Sequence, residues 1–170
     1  SPYCTCGTER LIELLESGHV KGDVWVNWQG DEPFIRSEMI TQLLETVDDP
    51  IADIWTLKKK ILKEKEVQDP NIVKVVTRAS GSALYFSRSP IPYIKEPSAE
   101  KTGLYYKHIG LYAFRESALK QIQKMSFSAL EDQEGLEQLR FLENHLTIQV
   151  HETPYETIGI DHPEDLKSAM

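Results

Sequence analysis

The sequence predicts an α/β sandwich built on a largely parallel sheet. Strand-like runs and stretches with helical spacing alternate through most of the 170 residues, as they do in chains built from βαβ units. The run 24–28 is rich in Val and Trp and is closed by Gly30, which is typical of a strand covered on both faces. A chain of this length is expected to form one domain, residues 1–170, and to bury roughly 70% of its unfolded surface.

Two kinds of sequence pattern predict the helices and strands along the chain. Apolar residues three or four apart predict helices. These lie at 8–16, 37–47, 58–67, 119–125 and 130–142, and from 163 onward. Short runs of β-branched and aromatic residues predict strands. These lie at 24–28, 51–57, 72–77, 83–86, 105–114 and 146–150. The helix at 58–67 is predicted from Lys and Glu interleaved on a solvated face. A reversal at Ser80-Gly81 predicts that part of the sheet is antiparallel.

The net charge, the lengths of the apolar runs and the number of cysteines argue against several classes of protein. The net charge of −8 argues against a nucleic-acid surface, because phosphate binding needs clustered Lys and Arg. No apolar run approaches the ~18 residues of a membrane span, and no pattern of a secretory signal is found. Cys4 and Cys6 are too few for a zinc site and are expected to be ordinary thiols. We therefore expect a cytoplasmic protein that binds neither nucleic acid nor membrane.

A series of short motifs runs through nearly the whole chain in a fixed order. The motifs are Gly7-Thr8-Glu9-Arg10, Gln29-Gly30-Asp31-Glu32-Pro33, Asn71-Ile72-Val73-Lys74-Val75-Val76, Ala83-Leu84-Tyr85-Phe86-Ser87-Arg88, Ile91-Pro92, His108-Ile109-Gly110-Leu111-Tyr112, Leu136-Glu137-Gln138-Leu139-Arg140 and Gly159-Ile160-Asp161-His162-Pro163-Glu164-Asp165-Leu166. In this order they resemble the motifs of the 3-deoxy-manno-octulosonate (Kdo) cytidylyltransferases, also called CMP-Kdo synthetases. The resemblance implies a three-layer sandwich like that of nucleotide-diphospho-sugar transferases.

The same resemblance implies an activity and its substrates. The expected reaction transfers CMP from CTP to the anomeric hydroxyl of Kdo and releases pyrophosphate, for lipopolysaccharide synthesis. A rival reading is a cytidylyltransferase for another acid sugar, such as a sialic acid.

The resemblance also implies a magnesium ion held by Asp31 and Asp161, which are the candidate catalytic and metal-binding residues. Each follows a strand-like run, so two adjacent parallel strands would bring them together. Magnesium held by one or two carboxylates keeps positions open for phosphate oxygens and water. The residues alone favour simpler roles. Asp31 suits a turn before Pro33, and Asp161 suits the cap of a helix that begins at Pro163.

The resemblance assigns a sugar site to side chains scattered along the sequence. Arg88 would bind the carboxylate of Kdo, because its planar guanidinium matches that group. Partners for the hydroxyl groups would be Gln29, His108, Tyr112, Glu137 and Gln138. Each has a structural alternative, since polar residues at strand ends and on helix faces are mostly structural. Tyr112 suits the core, and His108 suits a hydrogen-bonded position within a strand.

Gly7, Thr8 and Arg10 match the turn that lies near the nucleotide in the family, although Arg10 would equally suit an exposed helix face. The family begins with a strand and a basic loop that grips the triphosphate, and no segment of this chain matches that loop. We therefore expect the carboxy-terminal two-thirds of the family domain, incomplete at its N-terminus and inactive by itself. The alternative is a non-catalytic sugar-binding or dimerisation module. Residues 72–104 are the expected dimerisation region, because the resemblance implies a two-fold homodimer.

Overall fold

The structure is a computed structural model that describes Cys4 and residues 6–30, 34–96 and 104–157. The helices are Gly7–Ser17 (α1), Ser37–Leu43 (α2), Glu64–Gln68 (α3), Glu116–Ile122 (α4), Ala129–Glu134 (α5) and Gln138–Glu143 (α6). The strands are Val24–Asn27 (β1), Ile54–Lys60 (β2), Lys74–Thr77 (β3), Ala83–Ser87 (β4), Tyr106–Arg115 (β5) and Ile148–Glu152 (β6). None of the helices described above combines the length and the apolar character that a membrane-spanning helix needs.

The six strands form one mixed sheet in the order β4-β3-β5-β2-β6, with β1 also paired to β5. Among the described strands only β2 and β6 pair in parallel, whereas β5 runs antiparallel to β1, β2 and β3, and β3 runs antiparallel to β4. The prediction of a largely parallel sheet was therefore wrong. Apolar runs indicate that both faces of a strand are covered, and helices cover this sheet whatever the direction of its strands.

Two core clusters lie on opposite faces of the sheet. Residues alternate between the faces along β5, so that Tyr112 and Phe114 join one cluster and Leu111 and Ala113 join the other. Helices α1, α4, α5 and α6 pack on the first face. Helix α2 packs on the second face, with Met39 fully buried. This arrangement confirms the predicted three-layer α/β sandwich.

Several predicted boundaries were wrong. Strand β2 begins at Ile54 and continues to Lys60, where the sequence predicted a solvated helix, and α3 covers only Glu64–Gln68. Strand pairing prevails there because β2 is flanked by β5 on one edge and β6 on the other. The single helix predicted at 130–142 is two helices, since Gly135 takes a left-handed conformation (φ +61°) that ends α5. Helix α2 ends at Leu43 and continues only as turns.

The sheet is interrupted near the middle of β5. On one edge Asn27, the last residue of β1, pairs with Tyr112, and Lys74, the first residue of β3, pairs with Lys107. Residues 108–111 therefore have no ladder partner on that edge among the described strands, and of these the His108 backbone N–H donates to the Val73 carbonyl just before β3, at 2.8 Å. On the other edge Thr56 pairs with Tyr112 but Leu57 pairs with Ile109, which is a β-bulge. We call residues 108–111 of β5 the sheet gap.

Candidate functional site

A cleft of about 530 Å³ opens at the sheet gap. Its lining comes from the end of β1, the approach to β3, the end of β4 and the gap itself. Gln29, Arg88 and His108 all line this cleft. Three of the side chains that the sequence assigned to sugar binding therefore meet in one place. They meet because β1 and β3 reach the same edge of β5 from opposite ends and leave room between them.

Arg88 is held in place by backbone carbonyl groups. Its Nε donates to the Glu134 carbonyl at 2.7 Å, and its Nη1 donates to the Pro70 carbonyl at 3.0 Å. The carboxylate of Glu134 accepts hydrogen bonds from the Ser87 hydroxyl at 2.6 Å and from the Arg88 backbone N–H at 2.9 Å. In the part of the chain that the structure describes, no carboxylate forms an ion pair with this guanidinium. Arg88 is thus fixed in position while its positive charge and some of its N–H donors remain available to a ligand.

His108 lies between two aromatic rings beside the cleft. Its ring centroid is 5.0 Å from that of Phe86 and 5.2 Å from that of Tyr112. Its Nε2 lies 2.9 Å from the hydroxyl oxygen of Thr56. Burial lowers the pKa of His108 to about 3, because the charged imidazolium would lose its hydration. His108 is therefore neutral near pH 7.

A second group of polar side chains lies beyond Tyr112. The Thr8 hydroxyl donates to Glu137 Oε1 at 2.9 Å. A residue predicted to bind the nucleotide therefore directly contacts a residue predicted to bind the sugar. Glu137 Oε2 and Asn27 Nδ2 are buried and have no hydrogen-bond partner among the described residues. A buried acceptor and a buried donor of this kind call for water or a ligand. We call Thr8, Asn27, Tyr112 and Glu137 the polar cluster.

Tyr112 is the member of the polar cluster that contacts His108, which lines the cleft. Its ring belongs to the core, is 3% exposed, and stacks on Phe114 at 5.6 Å while also facing His108. Burial raises the pKa of its phenol well above the ordinary value, and the nearby Glu137 adds to the effect. The same carboxylate adds to burial in raising the pKa of Cys6 to about 12. Both groups are therefore neutral near pH 7 and offer hydrogen bonds without charge.

The remaining predicted residues lie elsewhere. Gln138 is 4% exposed at the first position of α6, and Arg10 is exposed on α1. Gly7 packs so closely on β1 that a Cβ there would be 2.6 Å from Asn27 Nδ2. Asp31 and Asp161, the predicted metal ligands, lie outside the described residues, as does the predicted terminal helix. Within 6–30, 34–96 and 104–157 no three His, Cys, Asp or Glu residues form a group that could hold a metal ion.

The sequence did not identify several residues that shape the site. Asn27 and Thr56 are polar residues inside apolar strands, and both are buried, at 7% and 0% exposed. That interruption of an apolar run was the available signal. Lys107 lines the cleft and pairs with Glu156, which also pairs with Lys59 at 2.9 Å. Glu134, which positions Arg88, carried no signal that distinguishes it from other acids on a helix.

Comparisons with known proteins show what the chain is similar to. Residues 1–148 match the family model described as Cytidylyltransferase. The chain is 48% identical over 161 residues to a 3-deoxy-manno-octulosonate cytidylyltransferase of Koribacter versatilis, covering 95% of this chain and 60% of that protein. It is 45% identical over 172 residues to the protein of the same name from Thermodesulfovibrio yellowstonii, covering 96% and 68%.

Nearly all of the chain also resembles a solved structure. It is CMP:2-keto-3-deoxy-manno-octonic acid synthetase complexed with CTP, with a TM-score of 0.89 and 39% identity, covering 98% of this chain and 67% of that one. Across these relatives the chain spans between 60% and 68% of their length.

Proposed function

This chain belongs to the cytidylyltransferase family, among the 3-deoxy-manno-octulosonate cytidylyltransferases, and we propose that its protein transfers CMP from CTP to the anomeric hydroxyl of Kdo and releases pyrophosphate. The observation that carries the proposal is the meeting of Gln29, Arg88 and His108 in one cleft. Kdo is an acid sugar, so its site must pair one carboxylate and satisfy several hydroxyl groups. The product would serve lipopolysaccharide synthesis.

The cleft offers the groups that an acid sugar needs. Arg88 keeps a positive charge that no described carboxylate neutralises, and its fixed guanidinium suits a carboxylate. Gln29 and the neutral His108 offer donors and acceptors for hydroxyl groups. Tyr112 and Glu137 would extend the same surface into the polar cluster, where Glu137 Oε2 is left without a partner. Gln138 lies next to Glu137 and is proposed to support the same sugar.

The nucleotide is proposed to approach from the side of α1. Thr8 lies in the first turn of α1 and joins this helix to Glu137. The start of an α-helix favours anionic groups, because its backbone N–H groups point outward there. Gly7 and Thr8 are therefore proposed to face CTP, with the exposed Arg10 one turn further along.

Magnesium is the proposed cofactor, with Asp31 and Asp161 as its ligands. Gln29 and Thr157 both line the cleft, and each is only a few residues of chain from one of the two aspartates, which supports placing both carboxylates near the cleft. When bound, the ion would neutralise charge on the triphosphate and on the leaving pyrophosphate. The chain's own contribution would be to hold the sugar so that its hydroxyl faces the α-phosphate.

A two-fold homodimer is also proposed, built by residues 72–104. The described part of this region exposes large apolar side chains, since Leu84 is 50% and Tyr93 is 87% exposed. Exposed side chains of this kind in one region fit a self-complementary patch. Molecular mass measured in solution at micromolar concentration tests this, and a strictly monomeric full-length protein contradicts it.

Turnover by the full-length natural protein that carries these residues tests the proposed reaction. We expect pyrophosphate release with CTP, magnesium and Kdo, and none when a sialic acid replaces Kdo. Turnover with sialic acid alone would support the rival acid-sugar enzyme. Absence of turnover together with calorimetric binding of Kdo would support a sugar-binding module, which is favoured only by the lack of a match to the family's triphosphate loop.

A further inference from the structure

Thr56 occupies an unusual position in the sheet. It is fully buried in β2, at the point where the pairing of β2 with β5 slips between Thr56 and Leu57. The slip leaves Gly110 and Leu111 of β5 outside the regular register. Carbonyl groups that lose their ladder partners at a bulge need another donor. The Thr56 hydroxyl can supply it: its oxygen lies 2.9 Å from the carbonyl oxygen of Leu111, and also 3.0 Å from that of Ile109, which stays in register with Leu57.

The same hydroxyl oxygen lies 2.9 Å from His108 Nε2. A threonine hydroxyl has one proton to donate and can accept further hydrogen bonds. The two carbonyl oxygens can only accept, so the hydroxyl proton is directed at them. If it pointed at His108 instead, both carbonyl oxygens would face a lone pair at close range. The contact with His108 is therefore satisfied only when Nε2 carries a proton and donates it to Thr56.

A neutral imidazole carries one ring proton, so a proton on Nε2 leaves Nδ1 as an acceptor. The burial that keeps His108 neutral prevents a second proton from blocking Nδ1. Among the residues that the structure describes, none hydrogen-bonds Nδ1, and His108 lines the cleft. Sugar hydroxyl groups can donate to such an acceptor.

We propose that Thr56 is a positioning residue that fixes His108 as its Nε2–H tautomer, so that Nδ1 accepts a hydrogen bond from a sugar hydroxyl in the cleft. The part about the sugar rests on the proposed function, whereas the part about the tautomer does not. Three contacts of one hydroxyl thus set both the path of the backbone at the sheet gap and the hydrogen-bonding character of the imidazole. The site would then select ligands that present a donor to His108.

Long-range ¹H–¹⁵N spectra of the histidine rings test the tautomer in this chain at pH 7. The protonated and unprotonated ring nitrogens of a neutral imidazole differ widely in chemical shift. The chain has five histidines, and the signals that disappear in His108→Gln identify His108. We expect Nε2 to be the protonated nitrogen of His108. Protonation at Nδ1 instead would overturn the proposal, whether or not the protein is a cytidylyltransferase.

Substitutions then test the role of the hydroxyl. Thr56→Val is expected to let His108 populate both of its neutral tautomers. Thr56→Ser is expected to retain the Nε2–H tautomer alone. A tautomer unchanged in Thr56→Val would overturn the proposal. Should Thr56→Val fail to fold, because two carbonyls lose their donor, the wild-type spectrum and Thr56→Ser still decide the matter.

The matched control is Thr46→Val. Thr46 forms another Thr–His contact, 3.1 Å from His151 Nε2, and it does not line the cleft. This substitution should leave the His108 signals unchanged, and a shift of those signals would show that the ring responds to any lost hydroxyl.

Kinetics of the full-length protein test the link to the sugar. Thr56→Val should raise the KM for Kdo about tenfold, the loss expected for one hydrogen bond, and leave the KM for CTP unchanged. Thr56→Ser and Thr46→Val should keep the wild-type KM for Kdo. An unchanged KM alongside an altered tautomer would overturn the assignment of Nδ1 to the sugar. Absence of turnover in the wild-type protein would instead contradict the proposed function.

Discussion

Arg88 shows how one side chain is fixed without losing its charge. Backbone carbonyls of Glu134 and Pro70 orient the guanidinium, and the carboxylate of Glu134 is occupied by Ser87 and the backbone. A lysine at this position would keep the charge but would lose the planar arrangement of donors.

We therefore expect Arg88→Lys to raise the KM for Kdo by about 10- to 100-fold, the loss of a charge-assisted hydrogen bond of ~1.5–3 kcal/mol. The KM for CTP should change little, because the guanidinium lines the sugar cleft. Steady-state kinetics of the full-length protein measure both values. An equal rise in the KM values for Kdo and CTP would show that the substitution disrupts the fold rather than the sugar cleft alone. Circular dichroism of both proteins serves as the folding control.

His108 predicts a dependence of stability on pH. Its pKa is about 3 in the folded protein, against 6.5 ordinarily. As the pH falls below 6.5, the unfolded chain binds a proton at this residue that the folded chain does not. The free energy of unfolding should therefore fall, by up to about 1.4 kcal/mol per pH unit from this group. The stability that the protein has with a neutral His108 is fully present above pH 6.5 and is lost progressively as the pH falls towards 3.

Urea unfolding at pH 7, 6 and 5 measures this effect against His108→Gln. Other groups with shifted pKa values, such as His151 and Glu131, are present in both proteins, so the difference isolates His108. The stability of the wild type relative to the variant should decrease as the pH falls. A difference that stays constant with pH would show that His108 titrates normally.

The contact between α1 and β1 explains why the first residue of a helix is glycine. Alanine is a better helix former by about 1 kcal/mol, but its Cβ would lie 2.6 Å from the Nδ2 of the buried Asn27. We expect Gly7→Ala to lower the free energy of unfolding by about 1 kcal/mol, because overpacking outweighs helix propensity. Urea denaturation measures the change.

Two comparisons sharpen this result. Gly22→Ala is the control, since its Cβ would make an ordinary contact at 3.5 Å, and it should be nearly neutral. Combining Gly7→Ala with Asn27→Ala should cost less than the sum of the two single changes, with a coupling of at least ~0.5 kcal/mol. Additive effects would show that the close contact does not constrain the helix.

At the scale of elements, the local sequence predicted which helices and strands form better than it predicted where each one begins and ends. The helix at 8–16 and the strands at 83–86 and 105–114 match α1, β4 and β5 within one or two residues. The lysines of β2 misled the prediction because their partners are distant in sequence. Lys58 Nζ donates to the Thr77 hydroxyl at 2.8 Å, and Lys59 pairs with Glu156. Strand pairing decided this segment, and no window of ten residues contains that information.

At the scale of the whole molecule, the sequence located site residues but not the shape that unites them. Gln29, Arg88 and His108 were predicted from motifs, and the structure brings them into one cleft. The direction of the strands was wrong, because β5 inserts between β2 and β3 and runs against both. The sheet gap follows from that insertion and from a slip in register. Neither is encoded by the spacing of residues within a single element.

Glu156 ties the segment after β6 to two strands. It pairs with Lys59 of β2 and Lys107 of β5, and these partners lower the pKa of its carboxyl group although burial opposes them. Because the Glu156 side chain is 48% exposed, we expect Glu156→Gln to cost less than about 1 kcal/mol. The effect should disappear in 1 M salt, where charges are screened within about 3 Å. Unfolding at low and high salt measures it, and a loss that persists in 1 M salt would show that packing contributes instead.

The sheet gap also has a consequence for motion. At Gly110 and Leu111 neither neighbouring edge supplies a regular ladder pair, so the centre of β5 should open more readily than the paired strands around it. A sugar held by Gln29, Arg88 and His108 would bridge the ends of β1 and β4 to β5, in effect a removable cross-link where the backbone has none. Hydrogen–deuterium exchange at residues 110 and 111 should therefore slow on adding Kdo, while exchange in the β2–β6 pair stays the same. Binding of the substrate would thus stabilise the part of the sheet where backbone pairing is interrupted.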